Sequence, residues 1–71
     1  MKITKRHIGK KVQPECWARS EDRSNHYLLI TAVGKEHFLA WHSFGEYEDY
    51  FLRSGHMEKA DWKIYKPEKK K

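Results

Sequence analysis

The sequence predicts a mainly β fold, built from five short strands in one domain. The chain of 71 residues can form one compact core, although a chain of this size leaves much of its surface exposed. The segment His26–Val33 is rich in β-branched and aromatic residues, as strands are. Glycines at 34, 45 and 55 recur about every ten residues, a spacing typical of turns between short antiparallel strands.

The first predicted strand or extended segment is Lys11–Trp17. It contains Pro14, and because proline has no amide donor we expect this residue at a sheet edge or a bulge. The polar and charged residues of Ala18–Asn25 then indicate a loop. A loop of this length between the first two strands of a small barrel often carries a binding function.

The central element is a predicted hairpin. Its first arm is His26–Val33, and Gly34-Lys35 forms a tight turn because glycine readily adopts the positive φ that hairpin turns need. The second arm is His37–Phe44. Short turns of this kind join antiparallel neighbours, so the pattern predicts a meander.

The remaining segments complete the predicted sheet. The turn Gly45-Glu46 leads to a third arm, Tyr47–Arg53. His56–Ala60 is predicted to form one helical turn. Asp61–Tyr65 alternates apolar and polar residues, which predicts a last strand ended by Pro67.

Five short strands, a long first loop and one helical turn before the last strand favour a small SH3-like barrel. An OB-like barrel is the alternative, although it usually needs a longer chain and a longer helix. We expect a single domain over residues 1–71, with residues 1–9 and 67–71 as flexible basic tails.

The formal charge of +5 is distributed unevenly along the chain. Residues 1–11 contain five cations and no anion, and residues 66–71 contain four cations and one anion. Residues 12–65 contain six basic and nine acidic residues, a net charge of −3. The basic balance that would suggest nucleic acid therefore belongs to the ends, and the body is mildly acidic.

The composition also predicts where the protein acts. The only cysteine, Cys16, excludes an internal disulfide. Residues 1–11 do not resemble a signal peptide, and no apolar run approaches the roughly 20 residues of a membrane span. We therefore expect a soluble cytoplasmic protein with no membrane partner.

No residue pattern indicates catalysis or a metal site. His37 and His42 are five positions apart, an odd offset that places them on opposite faces of a strand. Cys16 has no accompanying motif of a catalytic thiol, and the acidic residues Glu48 and Asp49 are typical of a solvated edge. We expect no enzyme activity, no metal and no cofactor.

The aromatic residues are more informative, because they outnumber the aliphatic residues available to cover them. The residues expected to point inward are Leu28, Ile30, Val33, Phe51, Trp62 and Ile64, with Leu39 or Phe38. Some aromatics then face outward, where Tyr and Trp are typical of binding sites. The predicted binding residues are Trp17, Tyr27, Trp41, Tyr47, Glu48, Asp49, Tyr50 and Tyr65, with one of the two tryptophans expected to face outward. The alternative is that the aromatics only fill the core.

The order of these segments resembles small accessory proteins encoded by tailed bacteriophages. The segments that carry the resemblance are Val12-Gln13-Pro14 with Trp17, Ile30–Leu39, Glu46–Phe51, and Trp62–Lys66 with Pro67. The resemblance implies a phage origin and an SH3-like fold, and it implies no catalytic residue.

Two functional classes follow. In the first, the protein is a phage accessory factor in the bacterial cytoplasm that binds and modulates or inhibits a host protein, such as a nuclease, a polymerase or a defence component. In the second, it binds nucleic acid, with the tails contacting phosphates and Trp17, Tyr27 or Trp41 stacking on bases. An oligomer that binds a small ligand or a nucleotide is a third possibility. The sequence leaves the oligomeric state open.

Overall fold

The computed structural model describes residues 1–55 and 61–66. The strands of this part of the chain form one antiparallel sheet in the order β4-β3-β2-β1-β5. The elements are a 3₁₀ turn (Lys5–His7), β1 (Lys11–Pro14), α1 (Glu15–Ala18), β2 (Leu28–Val33), β3 (His37–His42), β4 (Tyr47–Leu52) and β5 (Trp62–Ile64). The predicted helical turn at 56–60 and the predicted tail at 67–71 lie outside the described residues.

The meander of β2, β3 and β4 confirms the predicted hairpins. Gly34 and Glu46 lie in the two connecting turns, but their conformations differ from the expectation. Gly34 does not adopt a positive φ; its amide donates to the carbonyl of His37 at 2.7 Å. The left-handed residue of the second turn is Glu46, with φ 59°. The role of Gly34 is therefore the close approach of its backbone to the His37 carbonyl, where a Cβ would lie 3.3 Å from the oxygen, and not a left-handed conformation.

The first strand is shorter than predicted. It ends at Pro14, and Trp17 lies in the one-turn helix α1. β1 lies between β2 and β5, but its pairing with β2 comprises only Lys11 and Val12, so Pro14 has a strand neighbour on the β5 side alone and occupies a local edge, as expected. Its nitrogen faces the unpaired side, and the neighbouring residue carries the bond to β5: Glu15 N donates to Asp61 O at 2.8 Å. Hydrogen-bonded pairs alternate along an antiparallel ladder, so the pair formed by Pro14 and Trp62 needs no bond.

The sheet is curled but open, and the predicted closed barrel is not observed. A β-bulge between Ile30 and Ala32 leaves Thr31 as an extra residue and increases the local twist of β2. Strands β4 and β5 remain the two edges. The edges are nevertheless bridged by one side chain, since Trp62 Nε1 donates to the carbonyl of Leu52 at 2.9 Å.

The core lies on the concave side of the sheet. Its buried members are Ile3, Val12, Trp17, Leu28, Ile30, Phe38, Ala40 and Trp62, with Val33 and Phe51 partly buried against them. This confirms most of the inward set and selects Phe38 over Leu39. Ile64 was expected inward, but it is 39% exposed, because β5 is a short edge strand with only one neighbour.

Residues 1–9 were expected to form a flexible tail, but the structure places them against the sheet. Ile3 is fully buried, and its amide donates to Arg53 O at 3.0 Å. The Arg53 guanidinium returns a bond to Ile3 O at 2.7 Å. Thr4 and His7 form a capping box around the 3₁₀ turn, and Gly9 N donates to Ile30 O at 2.8 Å. The buried side chain of Ile3 and these hydrogen bonds together make the basic segment part of the fold.

Candidate binding surface

Strand pairing assigns the side chains of the meander to two faces. Residues directly opposite each other in an antiparallel pair lie on the same face. Phe38 pairs with Phe51 on the core side. Leu39 pairs with Tyr50 and Ala32 on the opposite side, which we call the outer face. No described residue covers this face in front of β3 and β4, where Leu39 and Tyr50 are exposed.

The outer face carries a group of large apolar side chains that we call the outer patch: Leu39, Trp41, Tyr50 and Leu52. Leu39, Tyr50 and Leu52 are 41%, 63% and 44% exposed, and Trp41 is half-buried. His37 adds a ring that meets the Tyr50 ring edge-on at 5.3 Å. A contiguous apolar patch of this kind on a small protein is a frequent mark of an interaction site.

The sequence predicted Trp41 and Tyr50 as binding residues and missed Leu39 and Leu52. The alternation of β4 contained the signal, because Leu52 is two positions from Tyr50 and must share its face. Leu39 was kept as a candidate for the core. Its register opposite Tyr50 decides between the faces, and that register is a property of the folded hairpin.

A row of aromatic rings continues the outer face toward β1 and β5. Tyr27 lies 5.1 Å from Tyr65 and 6.2 Å from Trp41, measured between ring centroids. The Lys11 ammonium lies 4.6 Å from the centre of the Tyr27 ring, in a cation–π contact. Tyr65 is anchored by its hydroxyl, which donates to Asn25 O at 3.1 Å. The structure thus brings three predicted site residues together, but it half-buries them against one another.

The acidic pair of β4 is divided between the two sides of the sheet. Glu48 lies opposite Trp41 on the outer face, and its carboxylate accepts a 2.7 Å bond from the Thr31 hydroxyl. Asp49 lies opposite Ala40, and its Oδ1 accepts a 2.8 Å bond from the amide of Tyr50. Both are exposed, as expected for a solvated edge.

The outward backbone groups of β4 are partly occupied. Arg53 N donates to Glu36 O at 2.9 Å, so by alternation Tyr50 and Leu52 direct their backbone groups away from β3. The Tyr50 amide bonds to Asp49, and the Leu52 carbonyl accepts from Trp62. Such side-chain cover protects an edge from strand pairing. The outer patch, and not the backbone edge, is therefore the more open surface of this hairpin.

Trp17 does not belong to the candidate surface. It is only 5% exposed and packs in the core, with its ring 5.0 Å from the ring of His42. The helix α1 turns the indole inward, whereas an extended segment to residue 17 would have left its face undecided. Of the two tryptophans expected to divide between core and surface, Trp41 is the outer one.

Tyr47 lies on the core side of β4, at the end of the sheet. Its ring stacks on His42 at 5.1 Å, although 49% of the residue is exposed. His42 Nδ1 accepts a 3.2 Å bond from the amide of Gly45, which fixes the ring in the turn. Burial lowers the pKa of His42; the nearby His26 and Arg23 act in the same direction, and Asp49 opposes them. A neutral His42 therefore suits this site.

The β3–β4 hairpin is acidic as well as aromatic. Residues 36–52 contain four acidic side chains and no lysine or arginine. The acidic residues are Glu36, Glu46, Glu48 and Asp49. The basic side chains of the described chain lie elsewhere, mainly in residues 2–11 and at Lys63 and Lys66. The outer patch thus lies in the acidic half of a molecule whose net charge is positive.

Other kinds of site are less well supported. Within residues 1–55 and 61–66, no three histidine, cysteine or acidic side chains are grouped to hold a metal ion. His37 is exposed and His42 buried, as their odd spacing predicted. In the part of the chain that the structure describes, no helix has the length and apolar character to cross a membrane.

Comparisons with protein-family models, with curated proteins and with solved structures find no match for this chain.

Proposed function

We propose that this protein is a non-enzymatic binding protein whose outer patch engages another protein. The observation that carries the proposal is the exposure of Leu39, Tyr50 and Leu52 together on one face of the sheet. Tyrosine and tryptophan dominate binding hot spots, and both are present in this patch. Burial of such side chains against a partner removes apolar surface from water, which favours association.

The partner proposed here has a basic surface. Four carboxylates and no cation occur in residues 36–52, so a positively charged partner complements this hairpin. Proteins that grip nucleic acid, such as nucleases and polymerases, present surfaces of this charge. The protein would then act by covering that surface, and no reaction of its own is required.

The biological setting of the proposal rests on the resemblance to phage accessory proteins. In that setting the partner is a host protein in the bacterial cytoplasm, and binding modulates or inhibits it. The finer fold that we propose is an SH3-like barrel in an opened form. The long connection after β1, the bulge in β2 and the place of β5 beside β1 support that proposal.

The experiment is a pull-down from host lysate with three tagged baits. They are the unchanged protein, the patch variant Leu39→Ser/Tyr50→Ser, and the control Ile8→Ser, which changes an exposed apolar residue outside the outer patch. We expect the unchanged protein and the control to retain the same stoichiometric partner, and the patch variant to lose it. Retention of that partner by all three baits, or its absence from all three, would contradict the proposal.

Nucleic-acid binding is the second candidate, and one observation favours it. The aromatic row of Tyr27, Trp41 and Tyr65 adjoins Lys11, and Lys63 lies on the neighbouring edge strand. Rings next to cations are typical of single-strand binding surfaces. Fluorescence anisotropy with labelled oligonucleotides at about 50 mM salt tests this candidate, since phosphate contacts are strongest at low salt. Absence of binding there removes it.

A further inference from the structure

A cavity of about 510 Å³, lined by none of the outer-patch residues, lies between the loop that follows α1 and strand β5. Its volume is within the range of roughly 300–1,000 Å³ that small-molecule sites occupy. The lining residues are Gln13, Ala18, Ser24, Asn25, Lys63, Ile64 and Lys66. The outer patch proposed above does not include this cavity, and the nucleic-acid candidate shares only Lys63 with it.

The wall of the cavity is held by hydrogen bonds within the protein. Gln13 is only 5% exposed, and its Nε2 donates to His26 O at 2.9 Å and to Ser24 O at 3.3 Å. On the other side, the Tyr65 hydroxyl donates to Asn25 O. These bonds fasten the loop to β1 and to the residue that follows β5. The cavity is therefore formed before any ligand arrives, which reduces the entropic cost of binding.

The charges on the wall favour an anion. Lys63 and Lys66 are both exposed cations, and among the described residues no carboxylate lines the cavity. Among residues 1–55 and 61–66, neither ammonium group has an ion pair or a hydrogen bond. Two cations on one concave wall, without a counter-ion in the described chain, create a positive potential that attracts phosphate.

The remaining groups suit the rest of a nucleotide. Both carbonyl partners of Gln13 require its Nε2 as donor, so its Oε1 is left as an acceptor for a ligand amino or hydroxyl group. The Ser24 hydroxyl and the Asn25 side chain form no hydrogen bond within the described residues, and Ala18 and Ile64 add apolar surface. We infer that this cavity binds a mononucleotide, with its phosphate at Lys63 and Lys66.

The test is an NMR titration of the intact ¹⁵N-labelled protein with AMP, adenosine and inorganic phosphate. AMP should give saturable shifts at the amides of Ala18, Ser24, Asn25 and Ile64, with weaker binding of adenosine and of phosphate. The variant Lys63→Gln/Lys66→Gln should weaken AMP binding about fivefold or more, because it removes both cations. Both lysines are exposed, so the double variant should fold, and the dispersion of its spectrum shows whether it does.

The matched control is Lys2→Gln/Lys35→Gln, which removes the same charge from a different cavity of about 260 Å³. It should leave the affinity for AMP within about twofold, because these lysines lie outside the proposed site. Linear shifts without saturation would overturn the inference. Equal weakening by the two double variants, or phosphate binding as tight as AMP binding, would overturn it as well.

Discussion

The indole Nε1 of Trp62 donates a 2.9 Å hydrogen bond to the carbonyl oxygen of Leu52, which joins the two edge strands of an open sheet. The Trp62 ring also meets Phe38 edge-on at 5.1 Å and Phe51 at 5.9 Å. One side chain thus fills the core and covers an edge carbonyl of β4. In a closed barrel, backbone pairing would join the two edge strands. In this open sheet the Trp62 side chain makes one hydrogen bond between them.

Trp62→Phe should lower the free energy of unfolding by about 1–3 kcal/mol. The change removes the bond to Leu52 O, leaves that carbonyl without its donor and trims a buried ring. Urea denaturation followed by circular dichroism measures the effect. Trp41→Phe is the matched control, since Trp41 is half-buried on the outer face, and it should cost clearly less. An equal cost for the two variants would contradict the bridging role of Trp62.

Ile3→Ala should destabilise the protein by about 2–5 kcal/mol, because it removes a fully buried side chain from the core. The result distinguishes a packed N-terminal segment from a tail. Ile8→Ala is the control in the same segment; Ile8 is 47% exposed, and its truncation should change stability by about 0.5 kcal/mol or less. Thermal and urea denaturation measure both, and an unchanged Ile3→Ala variant would mean that residues 1–9 do not contribute to the core.

The pKa of His42, lowered chiefly by burial, predicts a pH dependence of stability. The folded state binds the His42 proton more weakly than the unfolded chain does. The contribution of His42 to the free energy of unfolding is therefore full above the ordinary pKa of 6.5 and is lost as the pH falls below that value. His42→Gln should remove the part of the pH dependence of unfolding free energy that His42 causes. Urea midpoints at several pH values, for both proteins, measure the difference. Parallel curves for the two would show that His42 has no such linkage.

Gly45→Ala should destabilise the turn between β3 and β4 by about 1–3 kcal/mol. A Cβ at this position would overlap the Tyr47 ring, which stacks on His42. The penalty should become much smaller in a Tyr47→Ala background, where the overlapping ring is absent. A double-mutant cycle on unfolding free energies measures this coupling. An additive cycle would indicate that the glycine is required for another reason.

The sequence was sufficient to predict the strands of the meander and most of the core. Leu28 and Ile30 follow the alternation of β2, and Trp62 begins the alternating segment of β5. It failed where local pattern and tertiary contact disagree. Ile3 is a single apolar residue in a basic segment, and only its burial beside Arg53 shows its role. Trp17 follows a proline, and only the helical turn after Pro14 shows that its side chain is buried.

The candidate sites show the same limit. Tyr50 and Trp41 were predictable as outward aromatics, whereas Leu39 required the hairpin register before its face was known. The cavity beside Lys63 depends on Gln13 and Asn25, residues from different segments. No spacing along the chain indicates that they meet.

The central claim, that the outer patch is the binding surface, is tested most directly by site-specific photo-crosslinking in host cells. A photoreactive phenylalanine analogue is placed at Tyr50 in one protein and at Ile8 in another, both exposed positions. We predict a discrete crosslink to one host protein from position 50 and none to that protein from position 8. No crosslink from position 50, or the same crosslink from both positions, would contradict the claim.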